Sequence, residues 1–173
     1  VTSGGYNPPY IPEKTQYSKT YTTSSADSWR TSYNAWRNEA VAMQGDWGYG
    51  VHRGYWFFGS QLSTDLTGAT IKSMKLTVRR KTGHGYSTAN VFFRWSKLAT
   101  DPGTNNTQPF VSNEYTQESF ELGQTRTINI PSNFFPYFES GEAKGFCIYT
   151  GTNTRTNYAI FYPQATLEVI YEK

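Results

Sequence analysis

Two stretches of the chain alternate between apolar and polar side chains, which is the pattern of a β-strand with one buried face. One lies between residues 71 and 81, and the other ends the chain. The apolar positions are, in the first stretch, Ile71, Met74, Leu76 and Val78 and, in the second, Ala165, Leu167, Val169 and Tyr171. Lysine, arginine, glutamate and threonine occupy most of the positions between them. Both stretches are therefore predicted to be strands.

Further strands follow from shorter patterns. The aromatic run between Gly54 and Gly59 is apolar without alternation, which predicts a buried strand. Other strands are predicted near residues 16–23, 91–95, 125–130, 144–150 and 157–162. Only Ser132 marks a helix start, and Pro136 limits that helix to about one turn. The pattern predicts an all-β fold, an antiparallel β-sandwich of jelly-roll type with at most one short helix.

The stretch from residue 26 to residue 43 fits two structures. Trp29, Tyr33, Trp36 and Ala40 fall at helical spacing. The same stretch is rich in threonine, tyrosine, tryptophan and valine, which are typical of strands. Periodicity alone leaves both structures open.

The beginning of the chain differs from the rest in composition. Residues 1–15 contain three prolines and two glycines, which predicts a linker or N-terminal arm that joins the domain to an upstream part of a longer protein. Tyr6, Tyr10 and Ile11 are the apolar residues that could dock this arm on the domain or on a neighbouring copy. Residues 16–173 are predicted to form a single domain.

Aromatic residues must supply much of the core, because they make up 17% of the chain and the apolar total is only 36%. The residues expected in the core or an interface include Trp56, Phe57, Phe58, Phe93 and Trp95. The net charge is +3, and the densest basic cluster, residues 79–81, is short. We expect this cluster to be a solvated strand end, and we expect neither a nucleic-acid partner nor a membrane segment. The single cysteine, Cys147, is expected to be buried in a strand.

The sequence contains no motif that indicates catalysis. His52 and His84 each lack a second ligand at the spacing that a metal site needs. Motifs of nucleophilic hydrolases, phosphate-binding loops and dinucleotide sites are absent from the sequence. The carboxylates show no pattern that suggests a glycosidase pair. We therefore predict a non-enzymatic protein with no catalytic residue, no metal and no cofactor.

One glycine-rich loop carries the residue types that bind sugars. An exposed aromatic ring covers the apolar face of a sugar, and planar polar groups satisfy its hydroxyls. The candidate ligand-binding residues are Asp46, Trp47, Tyr49, His52 and Arg53. The alternative is that Trp47 packs against the edge of the sandwich and that His52 and Arg53 are ordinary solvated residues.

Several short motifs resemble a known family in their order along the chain. They are Ser28-Trp29-Arg30, Trp36-Arg37-Asn38, the run from Gly54 to Gly59, Leu66-Thr67-Gly68-Ala69-Thr70-Ile71 and Leu76-Thr77-Val78-Arg79-Arg80. This order, over residues 17–171, is similar to the C-terminal modules of tail, baseplate and fibre proteins from phages that infect Gram-positive bacteria. The resemblance implies a β-sandwich on a virion tail or other appendage, which contacts the host surface outside the cell. It also implies strand, turn and strand over residues 28–47. No catalytic or binding residue transfers from the family.

The sequence leads to three hypotheses on function. The first is a host-recognition or adhesion module that binds a cell-wall polysaccharide or another surface glycan. The second is a structural module for virion assembly or decoration, whose exposed aromatic residues make protein–protein contacts. The third is an accessory carbohydrate-binding domain of a cell-wall hydrolase. The expected protein partners are the upstream part of the same tail protein and further copies of the chain, with a trimer favoured by the resemblance.

Overall fold

The computed structural model describes residues 4–173, in which two antiparallel sheets are joined by a small two-stranded sheet. The four-stranded sheet has the order β1 (Gln16–Thr22), β12 (Thr166–Glu172), β6 (Thr70–Arg79) and β9 (Thr125–Asn129). The six-stranded sheet has the order β3 (Ala35–Trp36), β2 (Ser25–Arg30), β5 (His52–Phe57), β10 (Gly145–Ile148), β7 (Thr88–Ser96) and β8 (Thr116–Glu121). The small sheet pairs β4 (Ala42–Gln44) with β11 (Ala159–Phe161). The first three residues of the predicted arm lie outside the described part.

The path of the chain between the sheets has jelly-roll topology. The first and last strands, β1 and β12, lie side by side and pair from Gln16 with Glu172 to Thr22 with Thr166. The connections from β5 to β6, β6 to β7, β8 to β9 and β9 to β10 each cross from one large sheet to the other. In the six-stranded sheet, β2 pairs with β3 and β7 with β8, and the other neighbours in both large sheets are not consecutive in the chain. The predicted antiparallel β-sandwich of jelly-roll type is confirmed.

The alternation in β6 is interrupted once, and the structure shows why. Ile71 and Met74 are both buried although they are three residues apart. In the pairing with β12, Ile170 lies opposite Ser73 whereas Tyr171 lies opposite Ile71, so Lys72 is an extra residue on β6. Such a β-bulge shifts the side-chain alternation by one residue. It lets Ile71 face the same core as the rest of the strand.

The main core fills the space between the two large sheets. The four-stranded sheet contributes aliphatic side chains such as Leu76 and Leu167, which pair across strands. The six-stranded sheet contributes aromatic rings, and Trp56 stacks on Phe93 with ring centroids 6.1 Å apart. All of the residues expected in the core or an interface are buried, namely Trp56, Phe57, Phe58, Phe93 and Trp95.

A second apolar cluster lies on the other side of the six-stranded sheet. Because successive side chains of a strand point to opposite faces, Tyr55 and Phe57 leave the main core and join Trp29, Trp36 and Cys147. The Tyr55 hydroxyl donates to the Phe110 carbonyl at 2.8 Å, which fixes the long loop between β7 and β8 over this face. The strand β5 is thus buried, as its apolar run predicts, and the structure shows that both of its faces are covered.

Helical structure is limited to short segments, and the stretch that the sequence left open contains strands and one 3-10 turn. Residues 26–43 contain β2, a single 3-10 turn at Thr31–Tyr33, β3 and the start of β4. The helix α1 spans Ser60–Leu66, away from the segment near Ser132 where a helix was predicted, and it buries Leu62 and Leu66. A 3-10 turn at Ser132–Phe134 runs into α2, Phe135–Glu139. Ser132 was expected to cap this turn, but Pro131 holds the cap position and no side chain caps it.

Candidate functional site

A groove of about 630 Å³ lies over the small sheet of β4 and β11. Its floor is apolar because Met43 and Ile160 pair across the two strands, and Val41 extends the floor. Its polar lining comes from two segments, Arg37 with Glu39, and Lys81 with Thr82 and His84. Three aromatic residues complete the lining, and they are Trp47, Tyr49 and Tyr158.

The floor depends on a close approach between β4 and β5. A Cβ atom at Gly54 would lie 2.3 Å from the backbone nitrogen of Met43, so β4 crosses β5 only because residue 54 is glycine. The buried Gln44 side chain fixes the same strand from the other side. Its amide donates to the Asn90 and Asn157 carbonyls, each at 2.8 Å, and its carbonyl accepts from the Phe92 N–H at 3.1 Å.

The Asp46 carboxylate organises the glycine-rich loop. It accepts the N–H groups of Gly48 at 2.7 Å and Gly50 at 2.9 Å. The N–H of Gly48 is the main reason why the pKa of Asp46 is lowered from its usual value. Both glycines have a positive φ, 117° and 104°, which residues with a Cβ rarely adopt. Asp46 holds the loop in shape and does not line the groove.

The two predicted aromatic residues, Trp47 and Tyr49, differ in how much of each ring is left without a packing partner. Trp47 stacks on Tyr158 with ring centroids 5.6 Å apart and meets the edge of Tyr86 at 5.5 Å. The Arg155 guanidinium lies 4.3 Å from the centroid of the same indole. Tyr49, in contrast, is 67% exposed. Of the two rings, Tyr49 therefore offers a free face to a ligand, and Trp47 forms part of the packed wall.

His52 and Arg53 lie on opposite faces of β5. His52 is 1% exposed, so the alternative that it is a solvated residue is wrong. Its Nδ1 lies 3.0 Å from the Gly45 carbonyl oxygen and its Nε2 lies 3.0 Å from Nη1 of Arg37. Burial lowers the pKa of His52, and the charge of Arg37 lowers it further. Arg53 donates to the Pro109 carbonyl at 2.9 Å and lies outside the groove lining.

The basic cluster at residues 79–81 was expected to be a solvated strand end. The structure corrects this expectation for Arg80, whose side chain is fully buried. Arg79 is exposed, and Lys81 lines the groove. The alternation of the strand explains the difference, since neighbouring side chains at its end point in opposite directions.

Sequence reasoning missed most of the polar lining of the groove. Arg37 and Glu39 form an ion pair, with Nη2 of Arg37 2.9 Å from Oε1 of Glu39. They lie between β3 and β4, whereas Lys81, Thr82 and His84 follow β6. In the sequence, the short basic cluster at residues 79–81 and the turn after it are the signal that points to Lys81, Thr82 and His84. Their spacing does not connect them with Arg37 and Glu39.

The groove offers binding chemistry. Arg37 and Lys81 donate hydrogen bonds, Glu39 accepts them, and the Thr82 hydroxyl does both. Within residues 4–173, no group of three or more histidine, cysteine, aspartate or glutamate side chains could hold a metal ion. The Cys147 thiol is buried in β10, where burial raises its pKa to about 12.

No protein-family model matches the chain, and no curated protein matches it. In the described residues, every helix is too short or too polar to cross a lipid bilayer. The groove and the residues that line it are therefore the features of the molecule that indicate a function.

Proposed function

We propose that the protein is a non-enzymatic host-recognition module of a phage tail-type protein and that the groove over β4 and β11 binds a bacterial cell-surface glycan. The observation that carries this proposal is the combination of an exposed ring, Tyr49, with polar side chains along an apolar floor. The groove volume of about 630 Å³ lies within the ~300–1,000 Å³ typical of small-molecule sites. One or a few sugar residues fit such a volume.

The chemistry of the lining matches that of a saccharide. The C–H face of a sugar packs on an aromatic ring, and Tyr49 presents one at the groove. Sugar hydroxyls both donate and accept hydrogen bonds, and the paired Arg37 and Glu39 supply donors and an acceptor side by side. Lys81 and Thr82 supply further polar groups.

The lining favours binding over hydrolysis of the glycan. A glycosidase needs two carboxyl groups, one on each side of the scissile bond. Among the described residues that line the groove, Glu39 is the only carboxylate, and it is paired with Arg37. The groove thus supplies polar contacts without the pair of acids that the reaction requires.

The proposal is tested by binding of the purified protein to host cells and to a panel of wall polysaccharides. We expect Tyr49→Ala to weaken glycan binding about 3- to 10-fold, because the loss of ring packing is worth about 0.5–1.5 kcal/mol. The matched control is Tyr115→Ala, since Tyr115 is 51% exposed and lies outside the groove lining. Equal affinities for wild type and Tyr49→Ala, or no binding to any glycan of the panel, would contradict the proposal.

A second candidate function is that of a structural module in virion assembly. It is favoured by the arm, where Tyr6, Tyr10 and Ile11 are 84%, 86% and 81% exposed. Large apolar side chains clustered in water are typical of protein interfaces. Binding partners for them would be the upstream part of the same protein or the arms of further copies. The two functions are compatible, because the arm and the groove are separate surfaces.

A further inference from the structure

The protonation state of His52 follows from its two neighbours. Its Nδ1 faces the Gly45 carbonyl oxygen, which can only accept a hydrogen bond, so Nδ1 carries the proton. Its Nε2 faces Nη1 of Arg37, which can only donate, so Nε2 has no proton. The neutral imidazole protonated at Nδ1 is therefore the one form that satisfies both contacts.

This contact orients a residue of the groove. Arg37 donates a hydrogen bond from Nη1 to Nε2 of His52 and another from Nη2 to Oε1 of Glu39. Its backbone N–H donates to the Ser28 carbonyl at 2.9 Å, which anchors the segment to β2. A guanidinium group has about five N–H donors, so those not used by His52 and Glu39 remain for a ligand. The Arg37 side chain is 21% exposed and lines the groove.

We propose that His52 is a positioning residue that holds Arg37 in its ligand-binding orientation while the imidazole is neutral, and that protonation of His52 releases Arg37 and weakens glycan binding. The inference rests on the proposed function of the groove. Protonated His52 has an N–H at both ring nitrogens, so Nε2–H and Nη1–H of Arg37 face each other as two donors with positive charge. The contact cannot persist in that state.

The surroundings of His52 set the pH at which this happens. Burial has the largest effect on the pKa of His52, because it disfavours the charged imidazolium. The other titratable or charged groups that face His52 or its partner Arg37 are Arg30, Arg37, Glu39, Asp46 and Tyr158. The two arginines oppose protonation and Asp46 favours it, and the pKa of His52 is lowered overall from 6.5. The imidazole is thus neutral at pH 7, and His52 releases Arg37 at a lower pH, where the imidazole becomes protonated.

The first test needs no ligand. In ¹⁵N NMR spectra of the whole protein at pH 7, the long-range couplings of His52 should show a proton on Nδ1 and none on Nε2. In the Arg37→Met variant, the pKa of His52 should rise, because a neighbouring positive charge is gone. A His52 protonated at Nε2, or a pKa that does not respond to Arg37→Met, would overturn the inference.

The second test measures glycan binding as a function of pH. Wild-type affinity should fall about 10-fold as His52 becomes protonated, with the midpoint at the pKa that NMR gives for His52. His84→Gln should keep this pH dependence, and it is the control because His84 is the histidine that lines the groove. His52→Phe should bind about 10-fold more weakly at pH 7 and lose the pH dependence. A pH profile that follows His84 instead would refute the role of His52.

A double-mutant cycle separates positioning from general support of the fold. If His52 acts through Arg37, His52→Phe should cause no further loss of affinity in the Arg37→Met background. An equal loss in both backgrounds would show a merely structural role and overturn the inference. If no glycan binds at any pH, the proposed function fails, whereas the proton on Nδ1 and the response to Arg37→Met still decide whether His52 holds Arg37.

Discussion

At the scale of the residue, Arg80 shows how one side chain ties together distant parts of the sandwich. Its guanidinium is fully buried, and within the described residues it has no carboxylate partner. It donates instead to four carbonyls, those of Tyr86 at 2.7 Å, Phe120 at 2.8 Å, Ser87 at 3.3 Å and Tyr158 at 3.4 Å. These acceptors belong to β8 and to the approaches to β7 and β11. Burial lowers the pKa of the group.

We expect Arg80→Met to destabilise the fold by about 3 kcal/mol or more, because each buried carbonyl left without a donor costs about 1–3 kcal/mol. Urea unfolding measures the change. The control is Arg79→Met, since Arg79 is exposed and its guanidinium lies 5.2 Å from the centroid of the Tyr162 ring. This control should stay within about 0.5 kcal/mol of wild type. Similar losses in the two variants would show that the carbonyl contacts of Arg80 contribute little.

At the scale of the element, the connection between β3 and β4 shows how a short irregular segment is held in place. The buried Asp27 carboxylate on β2 accepts the N–H groups of Ser28 at 2.7 Å and of Asn38 and Glu39 at 3.2 Å each. Asn38 has a φ of 55°, which asparagine tolerates better than most residues. These bonds position the segment that carries Arg37 and Glu39 to the groove.

The stability of this element should depend on pH. Burial raises the pKa of Asp27 to about 6 from 3.8, even though the N–H of Ser28 and two others oppose the shift. The folded state therefore binds the proton more tightly than the unfolded chain, and this contribution to stability is present below about pH 4 and lost as the pH rises through about 6. Between these limits, the free energy of unfolding of wild type relative to Asp27→Asn should fall by up to about 3 kcal/mol.

Urea unfolding at several pH values tests this dependence, and the carboxyl carbon of Asp27 in NMR spectra reports its pKa directly. Glu168→Gln is the control, because Glu168 is exposed on β12 and its replacement should have little effect. A midpoint for Asp27 at or below about 4 would contradict the prediction.

At the scale of the whole molecule, the arm and the first sheet present a surface that the single chain leaves open. The strand β1 lies at the edge of the four-stranded sheet and pairs on one side only, with β12. Every residue of β1 except Tyr21 is exposed, and the arm before it exposes Tyr6, Tyr10 and Ile11. Exposed strand edges and apolar arms are typical places for contacts between copies.

We expect the protein to form a homo-oligomer, with a trimer favoured, through this arm. Light scattering of the full chain measures the mass in solution. Replacement of Tyr6, Tyr10 and Ile11 by serine should shift the protein to the monomer and leave its far-ultraviolet circular dichroism spectrum unchanged, because these side chains contribute little buried area to the single chain. Tyr115→Ser, at a position 51% exposed outside the arm, should not change the mass. A monomeric wild type at high concentration would exclude this role of the arm.

The sequence predicted the strands better than the site. Alternation in β6 and β12 and the apolar run of β5 led directly to the sandwich, because burial of one or both faces leaves its period in the sequence. The residue types of the glycine-rich loop selected Trp47 and Tyr49, both of which line the groove. It could not separate the packed Trp47 from the free Tyr49, since the neighbours of Trp47 come from residues about 40 to 110 positions further along the chain.

Local sequence patterns specify that the chain folds as antiparallel strands around an aromatic-rich core, because side-chain period and turn residues act locally. The three-dimensional structure was needed to show that Arg37 and Lys81 line the same groove, that His52 is buried against Arg37, and that Arg80 is buried among carbonyls. These contacts join different parts of the fold, as for Arg37 and His52, which are 15 residues apart, and for Arg80 and Tyr158, which are 78 residues apart. Local sequence patterns carry no information on such contacts, because the burial and the hydrogen-bond partners of a polar side chain depend on what the rest of the fold places beside it.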